Sequence, residues 1–361
     1  MRKNKYTIII ITLFFISFLL ASCKNKEVEF EGKEITFDNS AANLVVENYF
    51  AFLMKEDYES VKKLFSDDMI KEQGRVTKED MVVRGFRIDE ITELSKMSIF
   101  KIMAVSENKY SPYSILDEYR ISVIKEKNGY KISEVKVIMK KETFAKNQQV
   151  RIRDENNVDT YLVLALENLP KTAFSKEDKL SMYKKKVPSK EFKAIGLSYD
   201  GLRMAISSYN GDSYLGLVTI DESLAVQGAQ SQGQESSSGQ GQSGNSAKEK
   251  PIGKEITSLD VIKGCHINYM VFSRDEKYLA MQYTKDDGSK CIKVYESDSG
   301  DLIPIKFEET FPVNKVNIKF NYFDSDGMII EVLPRESLNA EQKDLIGIWK
   351  IDLKNFKIKR L

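Results

Sequence analysis

His266 is the only histidine among 361 residues, and a single imidazole limits the available chemistry. A zinc site built on two or three histidines is excluded, and a Ser-His-Asp relay would have to be assembled around this one residue. Cys265 directly precedes it, which suggests a Cys–His pair. Neighbouring residues of a strand point to opposite faces, however, so the two side chains are not expected to meet and a structural role for His266 is preferred. Phosphate-cradling glycine loops (G-x-x-x-x-G-K-[ST], or G-x-G-x-x-G opening a helix) are absent, as is a G-x-S-x-G nucleophile elbow. Asp324-Ser325-Asp326-Gly327 begins like a calcium loop but lacks the later carboxylates, and reads as a hairpin turn. Acidic pairs such as Asp67-Asp68 and Asp286-Asp287 read as surface charge, because general acid–base work needs carboxylates converging in a cleft. Tyr49, Phe52, Tyr58 and Phe65 are assigned to core packing rather than to a pocket, and so is Trp349. No catalytic, metal-ligating or cofactor-binding residue is assigned, and no cofactor is expected.

The third cysteine carries a different chemistry. Met1-Arg2-Lys3-Asn4-Lys5 is followed by an apolar run from Tyr6 to Ala21, then Ser22-Cys23 and a charged stretch from Lys24. Basic head, greasy segment and small-residue cleavage point are the three parts of a secretory signal. The run falls short of the ~20 residues needed to cross a bilayer as a helix. Leu20-Ala21-Ser22-Cys23 resembles the bacterial lipobox. That resemblance implies cleavage between Ser22 and Cys23, lipidation of Cys23 with diacylglycerol and palmitate-type chains, and a lipoprotein held at the outer face of a cell membrane. Lys and Arg (55) nearly balance Asp and Glu (54), and removing the leader with Arg2, Lys3 and Lys5 leaves a slight acidic excess. A nucleic-acid partner is therefore not expected.

These chemical expectations rest on elements read from periodicity. Residues 23–39 form a charged tether. From Ser40, taken as the N-cap, Ala41, Leu44, Val45, Phe52 and Leu53 fall at helical spacing, followed by a second amphipathic stretch with Tyr58, Val61, Leu64 and Phe65. Thr77-Lys78-Glu79-Asp80 predicts a short third helix ended by Gly85. Strands are expected around 97–105, 117–125 and 130–139, the last two joined by a type I′ turn at Asn128-Gly129. Residues 40–69, SAANLVVENYFAFLMKEDYESVKKLFSDDM, and 129–138, GYKISEVKVI, resemble the opening helices and closing strand of NTF2-like domains. The resemblance covers 40–142 and implies an α+β cone, helices first and a curved antiparallel sheet after. Residues 143–190 are expected to connect, with one buried strand in 160–167.

From residue 191 one supersecondary unit recurs. Leu197-Ser198-Tyr199-Asp200-Gly201 precedes one apolar strand, Phe272-Ser273-Arg274-Asp275-Glu276 precedes another, and each strand leads to a glycine hairpin (Asn210-Gly211, Asp287-Gly288) and a third strand. A degenerate copy runs from Ile318 through Asp326-Gly327 to Leu353. Asp200 and Asp275 are 75 residues apart, or 45 without the 30-residue Gln/Gly/Ser-rich insert 222–251, and Phe272 and Phe320 are 48 apart. These periods fit a four-stranded propeller blade of ~40–50 residues. Residues 191–361 resemble the WD40-like or TolB-like β-propeller repeats, with Glu276 standing where the repeat usually has glycine. The resemblance implies an all-β, small or incomplete propeller packed on the N-terminal domain, with the insert in an outer hairpin. Cys265 and Cys291 then lie on strands separated by a third, which favours two buried thiols over a disulfide. The expected function is a non-catalytic binding module, attached to membrane lipid through acylated Cys23, with a protein or glycan ligand. The alternative is a carboxylate-dependent hydrolase using the NTF2-like pocket.

Overall fold

The computed structural model describes residues 37–72, 80–176, 183–224, 249–335 and 340–361. The leader, the lipobox cysteine, most of the tether and the core of the insert lie outside these residues. Three helices open the described chain: α1 (Asn39–Met54), α2 (Tyr58–Lys62) and α3 (Asp67–Glu72). Asp38, not Ser40, caps α1, its Oδ1 accepting from the N–H groups of Ser40 and Ala41 at 2.9 and 3.2 Å. The cap sits two residues before the predicted one, and the inward face shifts with it. Ala42, Val46, Tyr49, Phe50 and Leu53 are buried at i, i+4, i+7, i+8 and i+11, whereas Leu44 is 60% exposed.

The predicted third helix at 77–85 is not found. Residues 77–79 lie outside the described part, and β1 (Met81–Glu93) already runs through Gly85. Gly85 is there for space: a Cβ on it would lie 2.3 Å from the Tyr199 hydroxyl. β1 begins a six-stranded antiparallel sheet in chain order with β2 (Met97–Asn108), β3 (Tyr113–Glu126), β4 (Gly129–Lys146), β5 (Gln149–Asp154) and β6 (Tyr161–Ala165). The β3–β4 turn pairs Glu126 with Gly129, so its central residues are Lys127 and Asn128. Only Gly129 takes a positive φ, +110°, which corrects the type I′ expectation at that hairpin. The tight turn with two positive φ values lies instead at Asn147 (52°) and Gln148 (60°), between Lys146 and Gln149. That turn prolongs the sheet through the region expected to be a connector. The boundary placed at 142 therefore falls inside β4, and the strand expected in 160–167 becomes β6, the last of the same sheet.

Helix α1 lies on this sheet, its Phe50 ring stacked on Phe86 at 4.5 Å and edge-on to Tyr119 at 5.2 Å. The Phe65-Ser66-Asp67-Asp68 segment is pinned to β4, since Ser66 N–H donates to the Ile132 carbonyl and Ile132 N–H to Leu64, each at 2.8 Å. The two stretches that carry the NTF2-like resemblance are thus hydrogen-bonded neighbours.

A short ribbon, β7 (Thr172–Phe174) with β8 (Lys184–Lys186), leads into three successive antiparallel sheets. The first contains β9 (Glu191–Leu197), β10 (Arg203–Asn210), β11 (Asp212–Ile220) and β12 (Gly253–Ile262). The second contains β13 (Cys265–Phe272), β14 (Tyr278–Lys285) and β15 (Lys290–Glu296). The helix α4 (Phe307–Thr310) precedes the third, made of β16 (Val316–Phe323), β17 (Gly327–Pro334), β18 (Gly347–Asp352) and β19 (Ile358–Arg360). Each predicted repeat is therefore one meander, and 222–251 separates β11 from its partner β12, the third and fourth strands of the first sheet. The described residues are mostly β. Residues 38–361 form one compact unit, in which β9 packs on both β13 and β3.

The repeat turns explain much of this packing. In the first copy, Ser198 Oγ bonds Asp200 Oδ1 and accepts from Arg203 N–H at 2.9 Å. In the second, Ser273 Oγ donates to Asp275 Oδ1 at 2.7 Å and accepts from Tyr278 N–H at 3.0 Å. Gly201 closes one turn at φ +70° and Glu276 the other at φ +58°. The residue departing from the repeat pattern thus adopts the backbone of the glycine it replaces. Its buried carboxylate accepts from Arg87 on β1 (2.8 Å), Arg203 on β10 (3.0 Å) and Asp200 N–H (3.0 Å). Beside it, Arg274 reaches both oxygens of Glu47 on α1 (2.7 and 2.6 Å), covers the Phe86 ring at 4.3 Å and donates to the Phe323 carbonyl. Paired, hydrogen-bonded charges of this kind are how a protein tolerates ionised groups at an internal seam.

Candidate functional site

The first strands of the three repeat sheets and the ends of β1 and β2 surround an open cleft of about 600 Å³, within the usual range of small-molecule sites. Strand alternation supplies its lining. Along β9, Phe192 and Ala194 are buried while Lys193 is exposed; along β16, Ile318 and Phe320 are buried while Lys319 is exposed. On β13, His266 and Asn268 line the cleft and Cys265 is buried on the other face. The separation of His266 from Cys265 is the one read from their adjacency. Burial, then Lys193, holds the His266 imidazole below its ordinary pKa, so it is neutral at pH 7.

Two bulges shape the wall. Pairing of β1 with β2 slips between Val83 and Gly85, and pairing of β13 with β14 slips between Ile267 and Tyr269. The extra residues are Arg84 and Asn268, and both line the cleft; bulges commonly re-aim side chains in this way. The Arg84 guanidinium lies 4.0 Å from the centre of the Tyr269 ring, and its Nε has no hydrogen-bond partner. On β2, Glu107 is 3% exposed, takes the Met270 N–H, and has Oε1 unpartnered. Burial pushes its carboxyl up to about 8, against the opposing pull of Arg84 and the Met270 N–H. Gly196 permits this closeness, because a Cβ there would lie 2.4 Å from the Met270 carbonyl and 3.1 Å from Glu107 Oε1.

The remaining polar groups divide by what their atoms already do. Gln282 is fully used: its amide donates to the Cys291 and Ile318 carbonyls at 2.9 and 3.0 Å and accepts from Phe320 N–H at 2.8 Å, tying the second repeat sheet to the third. Asn317 Oδ1 accepts from Lys290 N–H at 2.9 Å, and Asn268 Oδ1 from Thr284 Oγ1 at 2.9 Å. Both asparagines therefore offer the cleft their NH₂ groups. Lys193, Lys290 and Lys319 have no carboxylate within ion-pair distance among the described residues.

Other residues flagged in the sequence lie elsewhere. Tyr49 and Phe65 are core, with Phe52 and Tyr58 half-buried. Trp349 is half-buried, edge-on to Phe311 at 5.3 Å, with Nε1 donating to Leu345. Asp324 and Asp326 are both held by Lys350 at 2.7 Å, an ion-paired hairpin turn. Cys265 and Cys291 are buried thiols not joined to each other, on β13 and β15 with β14 between, and burial raises the Cys291 thiol to about 11. Ser22 and Cys23, the expected cleavage and lipidation residues, lie outside the described part. The cleft residues themselves escaped the sequence reading. Lys193 and Lys319 had a signal, each standing between buried residues on the first strand of a repeat. Arg84 and Asn268 had none, since neither bulge carries a glycine at its extra residue.

No protein-family model matches the chain, and no curated protein does. Among solved structures, one of two prolyl endopeptidases studied for inter-domain dynamics is similar at 9% identity and TM-score 0.29, over 87% of this chain and 45% of that one. A puromycin-hydrolysing peptidase of Mycobacterium tuberculosis aligns at 8% identity and TM-score 0.20, over 76% and 52%. The Cps50 (Swd1) β-propeller domain of Myceliophteria thermophila aligns at 10% identity and TM-score 0.26, over 70% and 97%. The chain thus spans about half the length of the two peptidases. The neighbours include a β-propeller domain, but TM-scores below 0.5 do not establish a common fold.

Proposed function

We propose that this chain is a membrane-anchored extracytoplasmic lipoprotein, fixed by lipid on Cys23, that acts as a non-catalytic binding module. In this reading residues 40–142 are an NTF2-like element and the three meanders are blades of an incomplete propeller whose first strands face a shared ligand site. The observation that carries the binding role is the open cleft where those strands meet. Among the described residues, no serine, threonine or cysteine lining it is hydrogen-bonded to a histidine or a carboxylate, and Thr284 Oγ1 donates to Asn268 Oδ1. The rival hydrolase needs free carboxylates in an NTF2-like pocket. Of the three buried carboxylates of the first sheet, Glu118 is engaged by Lys101 and Arg120 and Glu142 by Arg153 and the Tyr113 hydroxyl, while Glu107 belongs to the lining of the open cleft. The space beneath α1 is filled by the rings of Tyr49, Phe50, Phe65 and Phe86.

Metabolic labelling with palmitate tests the anchor. Label is expected on the wild type and absent from Cys23→Ala, and label retained in the variant would overturn the lipid site. Loss of cellular function in Glu118→Gln or Glu142→Gln, with folding intact, would favour the hydrolase.

A further inference from the structure

The cleft has a chemical polarity that says what it can hold. Its cations Lys193, Lys290 and Lys319 come from three different strands, and none is neutralised by a carboxylate among the described residues. Its two asparagines have their oxygens committed and their NH₂ groups open. Arg84 Nε is a buried donor without a partner in the wall behind them. Deep in the wall, Glu107 Oε1 is buried without a partner, the only acidic side chain among the lining residues. A surface rich in donors and poor in acceptors fits a ligand made of acceptor oxygens carrying negative charge.

We propose that this cleft is a receptor site for a small, multiply charged oxyanion bearing phosphate or carboxylate groups, gripped by Lys193, Lys290 and Lys319 with the amides of Asn268 and Asn317 as neutral donors. This rests on the binding reading above and gives it a ligand class. Lysines spread over three strands suit several separated charges better than one, since each ammonium acts as a point charge. The volume of about 600 Å³ accommodates a molecule of that size.

Glu107 gives the site a pH dependence. The charged and titratable groups that share the cleft lining with it are Arg84 from β1, Lys193 from β9, Tyr209 from β10, His266 and Tyr269 from β13, Lys290 from β15, Lys319 from β16, Tyr113 from β3, and Lys109 and Tyr110 from the β2–β3 connection. With its pKa near 8, the carboxyl is mostly protonated and uncharged at pH 7. Above pH 8 it becomes a carboxylate, which repels an anion while the lysines remain charged. Affinity is therefore expected to fall between pH 7 and 9.

The test is calorimetric titration of the full chain, in a neutral detergent, with tripolyphosphate, citrate and maltotriose. Binding of tripolyphosphate, citrate or both is expected and none of maltotriose; the two anions separate phosphate from carboxylate preference. Lys193→Ala and Lys319→Ala, both exposed and free of structural hydrogen bonds, should each weaken binding by about three- to tenfold. Glu107→Gln should bind at pH 7 as the wild type does and lose the decline between pH 7 and 9. Failure of both anions to bind, binding unaffected by the two lysine variants, or equal binding of maltotriose would overturn the proposal. The titration reads the cleft alone, so such a failure would leave the lipid anchor to be judged by labelling of Cys23.

Discussion

Replacing Glu276 by glycine restores the residue that the repeat turn ordinarily carries, yet the structure predicts a less stable protein. The substitution relieves a non-glycine residue of φ +58°, a conformation costing about 1–2 kcal/mol, partly offset by about 0.5–1 kcal/mol from the greater freedom of glycine in the unfolded chain. Against that modest gain, Arg87 and Arg203 lose a shared carboxylate and Asp200 N–H an acceptor. Removing one partner of a buried ion pair costs about 3–5 kcal/mol. The lower end applies here, because the two arginine side chains are 29% and 25% exposed and Arg87 keeps Asp89 at 2.6 Å. Loss of about 3 kcal/mol against a net backbone gain of about 1 leaves Glu276→Gly about 2 kcal/mol less stable than the wild type. Glu276→Ala keeps the backbone penalty and should lose about 3 kcal/mol. Urea unfolding of the full chain measures both, and thermal melts should fall by about 2 °C per kcal/mol for a unit of this size. The reasoning fails if Glu276→Gly matches or exceeds the wild type, or if Glu276→Ala is no less stable than Glu276→Gly.

Other consequences are open to the same measurement. Arg274→Lys should lose about 1–2 kcal/mol, because an ammonium cannot hold both Glu47 oxygens, the Phe323 carbonyl and the Phe86 face together; an unchanged urea midpoint would refute this. Gly85→Ala should cost about 1–3 kcal/mol through collision with the Tyr199 hydroxyl, and Tyr199→Phe in the same chain should recover part of it; no recovery would point to another cause. Glu107 has a folded pKa of about 8 against an ordinary 4.5, so its contribution to stability is complete below pH 4.5 and is lost as pH rises through 8. Wild-type stability should therefore decline relative to Glu107→Gln between pH 4.5 and 8 and then level off, and parallel curves would contradict the assigned burial.

Much of the architecture was legible because it follows from local rules. The first two meanders were visible as a recurring Ser-x-Asp turn, apolar strand and glycine hairpin, since each step is enforced by neighbouring residues: a serine hydroxyl closing its own turn, a glycine supplying positive φ. The separation of Cys265 from Cys291 by one strand followed from the strand order of the repeat, and the turning of His266 away from Cys265 from period-two alternation. Helix α1 was found, but its cap and face shifted, because Ser40 and Asp38 both satisfy the local rule and only packing of Phe50 on Phe86 selects between them.

What the sequence could not announce depends on partners distant along the chain. Gly85 looked like a helix stop until Tyr199 came to lie against it, and Glu276 looked like a flaw in a repeat until Arg87 and Arg203 arrived from other sheets. The tight turn formed at Asn147-Gln148, without a glycine, where pairing of β4 with β5 demanded it. The cleft is the extreme case. Its lysines, asparagines and buried carboxyl come from β2, β9, β13, β15 and β16, each unremarkable beside its neighbours, and Arg84 and Asn268 enter it through slips in strand pairing. Local sequence determined which residues form strands and turns. The burial and charge that give the site its character arise only when non-adjacent strands converge, because both depend on what surrounds a group in space.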